Sequence, residues 1–213
     1  MRYKSMYFGY FPWFALLVGV AAAAALYDGR LVAVMTCFTD AHPGFAYVMR
    51  LITDWGNYVF YAGFGVALAV GLIRRDAALV RLGLAYFFTL LIFSLLVGHA
   101  VKILWGRPRP FLGAEMPCRP LSFEADHNSF PSGHTSDAFS AVVPSRRWLG
   151  GGRILQVVVP LWAMVIALSR IFLGQHYPTD VLGGIALGLG GGFLVMRVVD
   201  KRWAFFGDTV KVL

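Results

Sequence analysis

Long apolar runs alternate with short polar clusters along this chain, and the runs are of the length that carries a helix across a bilayer, roughly 17 to 25 residues. The first extends from about Phe8 to Leu26 and contains the alanine stretch Ala21 to Ala25. Its basic start and small residues resemble a signal peptide, but the run is long enough to cross and reads as an uncleaved first span. Phe45, Val48, Met49 and Ile52 follow helical spacing between Arg30 and Trp55, which predicts a short amphipathic helix lying at the membrane surface. Further spans are predicted from about Tyr58 to Ile73, Leu82 to Val101, Gly133 to Leu149, Ile154 to Leu168 and Val181 to Val199. The fourth is the least regular, because Asp137, Pro144 and Arg146 interrupt it. In the last, Gly184, Gly188 and Gly192 recur every fourth residue, a spacing that lets a neighbouring helix approach closely. A phosphate-cradling glycine loop is the other reading of that run, but no strand precedes it and the glycines fall inside a spanning helix.

Composition agrees with the pattern. The chain has 213 residues, 58% hydrophobic and 14% charged, with a mean hydropathy of +0.66, which excludes an ordinary soluble domain. No linker, repeat or low-complexity tract divides it. The expectation is one all-α membrane helix bundle of six spans over residues 1–213, with its functional core at about residues 98–185. The net charge of +8 does not point to nucleic acid, since the basic residues form no continuous stripe and cluster between apolar runs. They report topology instead. Twelve Lys and Arg fall on one side of the predicted spans: Arg2, Lys4, Arg74, Arg75, Arg81, Arg146, Arg147, Arg153, Arg197, Lys201, Arg202 and Lys211. Seven fall on the other: Arg30, Arg50, Lys102, Arg107, Arg109, Arg119 and Arg170. This places both termini in the cytoplasm, and the loop between the third and fourth spans on the outer face with the segment Arg170 to Asp180. The two cysteines, Cys37 and Cys118, lack metal-ligand spacing; both fall on the outer face, where a disulfide between them could persist.

The chemistry-bearing residues gather on that outer face. Ser169 to Asp180, SRIFLGQHYPTD, is a polar island between two apolar segments, and ionisable groups at that depth are expensive enough to be functional suspects. A neutral His176 can attack a phosphorus or carbonyl centre, with Asp180 accepting its other ring N–H, while Arg170 supplies positive charge for an anion. A polar helix cap would account for the same triplet. Upstream, Lys102 and Arg109 flank a stretch in which Pro108 and Pro110 end any helix, so both point from a helix end and a stiff turn. Snorkelling would explain either alone, but together with Arg170 they make three cations in want of an anion such as phosphate. Pro131-Ser132-Gly133-His134 has the form of a helix start, whose free N–H groups bind phosphate oxygens. His134 then stands beside the same anion, which gives a division of labour: one imidazole attacks and the other protonates the leaving oxygen. Arg107 and His127 are placed where either could touch a head group, His99 as a buried polar contact, and Asp137 as a hydrogen-bonding group inside the bundle.

Lys102, six residues and Arg109-Pro110, then Pro131-Ser132-Gly133-His134, then Ser169-Arg170, five residues, His176, three residues and Asp180, together resemble the three-part phosphatase signature of the type 2 phosphatidic acid phosphatase superfamily. All three parts match in order and without substitution. The resemblance implies that His176 forms a phosphohistidine, that Asp180 orients it, and that His134 is the general acid and later the base that activates water. It likewise implies that Lys102, Arg109, Arg170, Ser132 and the Gly133 N–H hold the phosphate oxygens, and that neither metal nor cofactor is needed. The expected function is an integral membrane lipid phosphatase at the outer face of a bacterial inner membrane, acting on undecaprenyl diphosphate, phosphatidylglycerophosphate, phosphatidic acid or a lipid A phosphate. A lipid phosphotransferase of the same fold is the alternative; a non-catalytic lipid-binding protein or transporter has no use for both histidines. Specificity and oligomeric state stay open.

Overall fold

A computed structural model describes residues 11–113, 116–148 and 153–207, with side chains at 26–113, 116–146 and 154–200. Among these residues all regular structure is helical. The elements are α1 (Phe11–Ala41), α2 (Pro43–Arg74), α3 (Ala77–Thr89), a π-helical segment (Leu90–Val97), α4 (Gly98–Trp105), α5 (Gly133–Ser140), α6 (Val142–Trp148), α7 (Arg153–Phe172) and α8 (Pro178–Gly207). Two short 3₁₀ turns, Pro110–Leu112 and Ala125–His127, lie in the long loop between α4 and α5. Four helical stretches are long and apolar enough to cross a membrane: Pro43–Arg74, Ala77–Leu112, Ile154–Phe172 and Pro178–Asp200. Phe8, where the first predicted span begins, lies outside the described residues. So do the charges counted at Arg2, Lys4 and Lys211, the end of the fourth span at Leu149, and the side chains of Arg147, Arg153, Lys201 and Arg202.

Two expected boundaries are corrected. The loop expected after Leu26 is helical, and only His42 separates α1 from α2. The surface helix and second span are likewise one helix of 32 residues, about 48 Å long at the usual rise. Polar positions near the expected boundary point inward and find partners. Thr53 accepts a hydrogen bond from Arg170 Nη1 (2.8 Å), and Asn57 donates to the His134 carbonyl (3.1 Å), so the helix keeps its ladder through them. A tight turn then follows. Arg75 takes a left-handed conformation that caps α2, and the Asp76 carboxylate caps α3 by accepting from Ala78 N–H and Leu79 N–H.

The predicted fourth span is two short helices, α5 and α6, joined at Ala141 and mostly buried among the described side chains. Two of its hydroxyl groups are satisfied within the helix: Ser140 donates to the Ser136 carbonyl and Ser145 to that of Ala141. An inner helix needs no apolar face, which is why its sequence is irregular. It packs on α8 at the small residues anticipated there. A Cβ added at Gly184 would lie 2.6 Å from the Ser132 carbonyl oxygen, and one at Gly188 would lie 2.5 Å from that of Ser136. Cys37 and Cys118 are free and exposed, so the expected bridge is not formed.

This packing predicts that Gly188→Ala destabilises the protein by about 1–3 kcal/mol through overpacking. Gly190→Ala, where the added methyl meets nothing within 4 Å, should be neutral or stabilising by up to about 1 kcal/mol. Thermal unfolding of the two variants in detergent measures the contrast.

Candidate active site

Four helix ends meet at one place: the C-termini of α4 and α7 and the N-termini of α5 and α8. Lys102 stands in the last turn of α4, which Gly106 closes in the left-handed conformation. A Cβ at Gly106 would lie 1.7 Å from the Arg119 carbonyl oxygen, so only glycine lets the returning loop cross here. The chain leaves extended. Arg109 is anchored by its N–H to the Asp126 carbonyl (2.8 Å) and by Nε to that of Ala125 (3.0 Å), and its Nη1 donates to Gln175 Oε1 (3.2 Å). Arg170 sits in the last turn of α7, held by Thr53. His176 follows in the turn before α8, and Asp180 lies in the first turn of α8.

Lys102, Arg109, Gly133, His134, Arg170 and His176 line one cavity of about 540 Å³. Its other walls are Phe87, Leu90, Leu91 and Leu95, with Tyr61, Ser94, His99 and Asp137 between the two regions. Leu91 and Leu95 are 48% and 50% exposed, so the apolar wall is continuous with the outside of the helix that carries it. Six of the eight residues expected to form the site therefore come together on the cavity wall. Asp180 lies behind it, fully buried. Ser132 is also fully buried and off the wall: its hydroxyl accepts from Thr135 Oγ1 (3.0 Å) and its N–H donates to the Asp180 carbonyl (2.9 Å). Gly133 fits the role of a phosphate cradle better, since a Cβ there would lie only 3.5 Å from Lys102 Nζ.

His176 is buried, with Nδ1 3.5 Å from Asp180 Oδ2 and 3.4 Å from Ser129 Oγ. A proton on Nδ1 faces this carboxylate and leaves the Nε2 lone pair free. Burial pulls the pKa of His176 down to about 4; the hydrogen bond and charge of Asp180 oppose the shift, and Arg170 and Arg109 add to it. The ring is accordingly neutral at neutral pH, the state a nucleophile requires.

Arg107, expected near a head group, instead turns inward. Its Nη1 donates to Asp180 Oδ1 (2.6 Å) and to Thr179 Oγ1 (2.7 Å), its Nη2 donates to Asp28 Oδ2 (2.9 Å), and its guanidinium lies 4.3 Å from the centre of the Tyr177 ring. Asp28 also accepts from the N–H and the hydroxyl of Thr179, so an acid on α1 caps α8. The signal for Asp28 was present in the sequence, since a carboxylate within a helix of this composition needs a partner. His127 is buried beside Glu124 Oε2 (3.2 Å) and does not reach the cavity wall, whereas His99 is exposed and lines it, the reverse of its expected burial. Asp137 hydrogen-bonds inside the bundle as expected, to Tyr61 and Ser94. Among the described residues no cluster of three or more metal-ligating side chains occurs.

Comparison with known proteins follows the same lines. A family model described as the PAP2 superfamily matches residues 82–204. The chain is 29% identical over 119 residues to undecaprenyl-diphosphatase BcrC of Bacillus subtilis (strain 168), covering 56% of this chain and 59% of that protein. It is 34% identical over 124 residues to a lipid A 1-phosphatase of Rhizobium etli (54% and 49% covered), and 33% identical over 171 residues to a probable lipid phosphate phosphatase beta of Arabidopsis thaliana (68% and 79% covered). The chain thus spans about half to three-fifths of the length of the first two. A crystal structure of a transmembrane PAP2 type phosphatidylglycerolphosphate phosphatase from Bacillus subtilis shares the fold, with a TM-score of 0.61 at 23% identity, covering 88% of this chain and 94% of that one.

If the Arg107 fork holds Asp180 in place, Arg107→Lys, which keeps the charge but loses the fork, should lower kcat per folded molecule by about 10- to 100-fold with KM little changed. Asp28→Asn should act in the same direction, less strongly. Phosphate release normalised to folded protein measures both, and an unchanged kcat would show that Asp180 keeps its place without the fork.

Proposed function

This chain belongs to the PAP2 superfamily, and from that premise we propose that it is an integral membrane lipid phosphatase that cleaves a lipid phosphate or diphosphate through a phosphohistidine. The observation that carries the reading is the shape of the cavity: a polar end with three cations and two imidazoles, and an apolar wall continuous with the lipid-facing surface of its helix. An amphiphile enters sideways and leaves its tail among Leu91 and Leu95 while its phosphate reaches Lys102, Arg109 and Arg170.

His176 Nε2 attacks the terminal phosphorus, and the bond from that phosphorus to the leaving oxygen breaks as His134 gives that oxygen a proton. A lipid alcohol leaves from a monophosphate, and a lipid monophosphate from a diphosphate. His134, now neutral, takes a proton from water; the hydroxide attacks phosphorus, the P–N bond breaks, and inorganic phosphate departs with His176 restored. Asp180 stabilises the charge that His176 acquires in the first step. The three cations and the Gly133 N–H meet the equatorial oxygens of a loose transition state, and alignment of His176 removes several kcal/mol of barrier. The role of Ser132 is to fix the turn through its hydrogen bonds with Thr135 and Asp180. No step uses a metal.

The same reading includes the topology. Residues 1–213 form one domain of six spans, with α5 and α6 as the inner fourth, both termini in the cytoplasm, and the site at the outer face of a bacterial inner membrane. Support comes from the distribution of Lys and Arg and from bacterial membrane relatives.

Purified protein in detergent with chelator present should release phosphate from at least one of undecaprenyl diphosphate, phosphatidylglycerophosphate, phosphatidic acid and lipid A. His134→Ala should reduce turnover by about 10²- to 10⁴-fold, His176→Ala should abolish phosphoenzyme formation, and Lys102→Ala should cost less than either. Release that survives in His176→Ala would overturn the mechanism, and transfer to a second lipid in place of water would identify a phosphotransferase. Because His176 titrates near 4, single-turnover phosphoenzyme formation should not fall between pH 7 and about 5.5, where an imidazole of ordinary pKa is already about 90% protonated. A half-loss near pH 6.5 would place His176 in a solvated environment.

A further inference from the structure

The mechanism above leaves one half-buried carboxyl group on the cavity wall without a task. Asp137 lies on α5 three residues after His134, hence on the same helix face and about 4.5 Å further along the axis. It faces Tyr61 of α2, Ser94 of the π-helical segment, and the charges of Lys102 and His99 on α4. Tyr61 donates its hydroxyl proton to Asp137 Oδ2 (2.6 Å), and Ser94 donates to Oδ1. Both neighbouring hydroxyl protons are thus spent on the carboxylate. A carboxyl oxygen that accepts from one hydroxyl still has a lone pair to spare, so the patch Tyr61–Asp137–Ser94 offers the cavity acceptors. Such a patch favours a ligand that brings a donor. It disfavours a second phosphate, an ester carbonyl or a bare hydrocarbon chain, none of which brings a donor to the acceptor positions left over by Tyr61 and Ser94. Holding two hydroxyl groups together requires no charge, since an asparagine would serve. A carboxylate at membrane depth therefore points to a ligand.

We propose that Asp137 determines specificity by accepting a hydrogen bond from a hydroxyl, amide N–H or ammonium group on the carbon beside the one that bears the reacting phosphate. The preferred substrates are then monophosphates of lipid-linked sugars, polyols or amino alcohols, in preference to prenyl phosphates and fully esterified glycerol phosphates. This rests on the phosphatase reading: with the phosphate held by Lys102, Arg109 and Arg170 and the leaving oxygen at His134, the adjoining carbon falls beside the next turn of α5.

The test is a pair of lipids that differ by one hydroxyl, 1-acylglycerol-3-phosphate and its 2-deoxy analogue, assayed with the wild-type protein and Asp137→Asn. Wild type should favour the hydroxylated lipid in kcat/KM by about 10- to 100-fold, as expected for a hydrogen bond to a charged group. In Asp137→Asn that preference should collapse to within about 3-fold, with thermal unfolding of the variant in detergent as the control for folding. Equal turnover of the two lipids by wild type, or an equal loss on both in Asp137→Asn, would overturn the assignment and leave Asp137 as a structural link. Absence of His176-dependent release from either lipid and from every other member of the panel would instead sink the phosphatase reading, and this proposal with it.

Discussion

A carboxylate with no exposed surface stands behind the cavity, and the arrangement of the outer face follows from the need to pair it. Asp180 accepts hydrogen bonds from Ser129 Oγ, the Tyr177 N–H (2.9 Å) and Arg107 Nη1 (2.6 Å), and it lies 3.5 Å from His176 Nδ1. Removing one partner from such a buried charge costs several kcal/mol, far more than a surface pair contributes. The donors come from the two ends of the long loop between α4 and α5 and from the turn before α8, so pairing one group fixes two irregular segments. Through Arg107 the same constraint reaches Asp28 on α1. Loops otherwise free to drift are thereby locked to the helices that carry His134 and His176.

The bundle supplies the complementary constraint. Helices α5 and α8 approach closely because glycines on α8 face backbone carbonyls on α5, and that approach brings their N-termini side by side. Both ends carry the positive pole of a helix dipole. Asp180 occupies the one on α8, whereas Gly133 at the start of α5 keeps its N–H free of intrahelical demand and faces the cavity. Tight packing and anion affinity thus have a common origin in small residues. The π-helical segment adds a local adjustment: its widened turns aim Ser94 at Asp137 and Leu90, Leu91 and Leu95 at the cavity, a use of irregular helix often seen at functional sites.

Much of this was legible in the chain. Helical class and the close approach at Gly184 and Gly188 follow from apolar run length and small-residue spacing, and the gathering of Lys102, Arg109, His134, Arg170 and His176 follows from residue types that no apolar helix end tolerates without a purpose. What escaped was pairing over long sequence distance. Arg107 and Asp28 are 79 positions apart, and nothing local distinguishes an arginine that binds a ligand from one that binds a carboxylate. The continuity of α2 was hidden for a related reason. Thr53 and Asn57 lie where the surface helix was expected to give way to the span, and their partners, Arg170 and the His134 backbone, lie on other helices. Periodicity reports which residues are polar, and only the fold reports whether polarity is turned inward.

Charge pairing separates the outer arginines and lysine by role. Arg107 meets two carboxylates and an aromatic face, and its hydrogen bonds are formed before any substrate arrives. The described partners of Arg109 are a carbonyl and an amide oxygen, and Arg170 has the Thr53 hydroxyl with its Nε buried and unpaired. Lys102 lies against Gly133 with Arg109 and Arg170 as like-charged neighbours. Three cations held together by neutral acceptors store electrostatic repulsion that one dianionic phosphate relieves, and burial makes that relief larger than it would be in water. Asp137, the one acid on the wall among the described residues, acts on Lys102 from the next turn of α5 and offsets part of that repulsion.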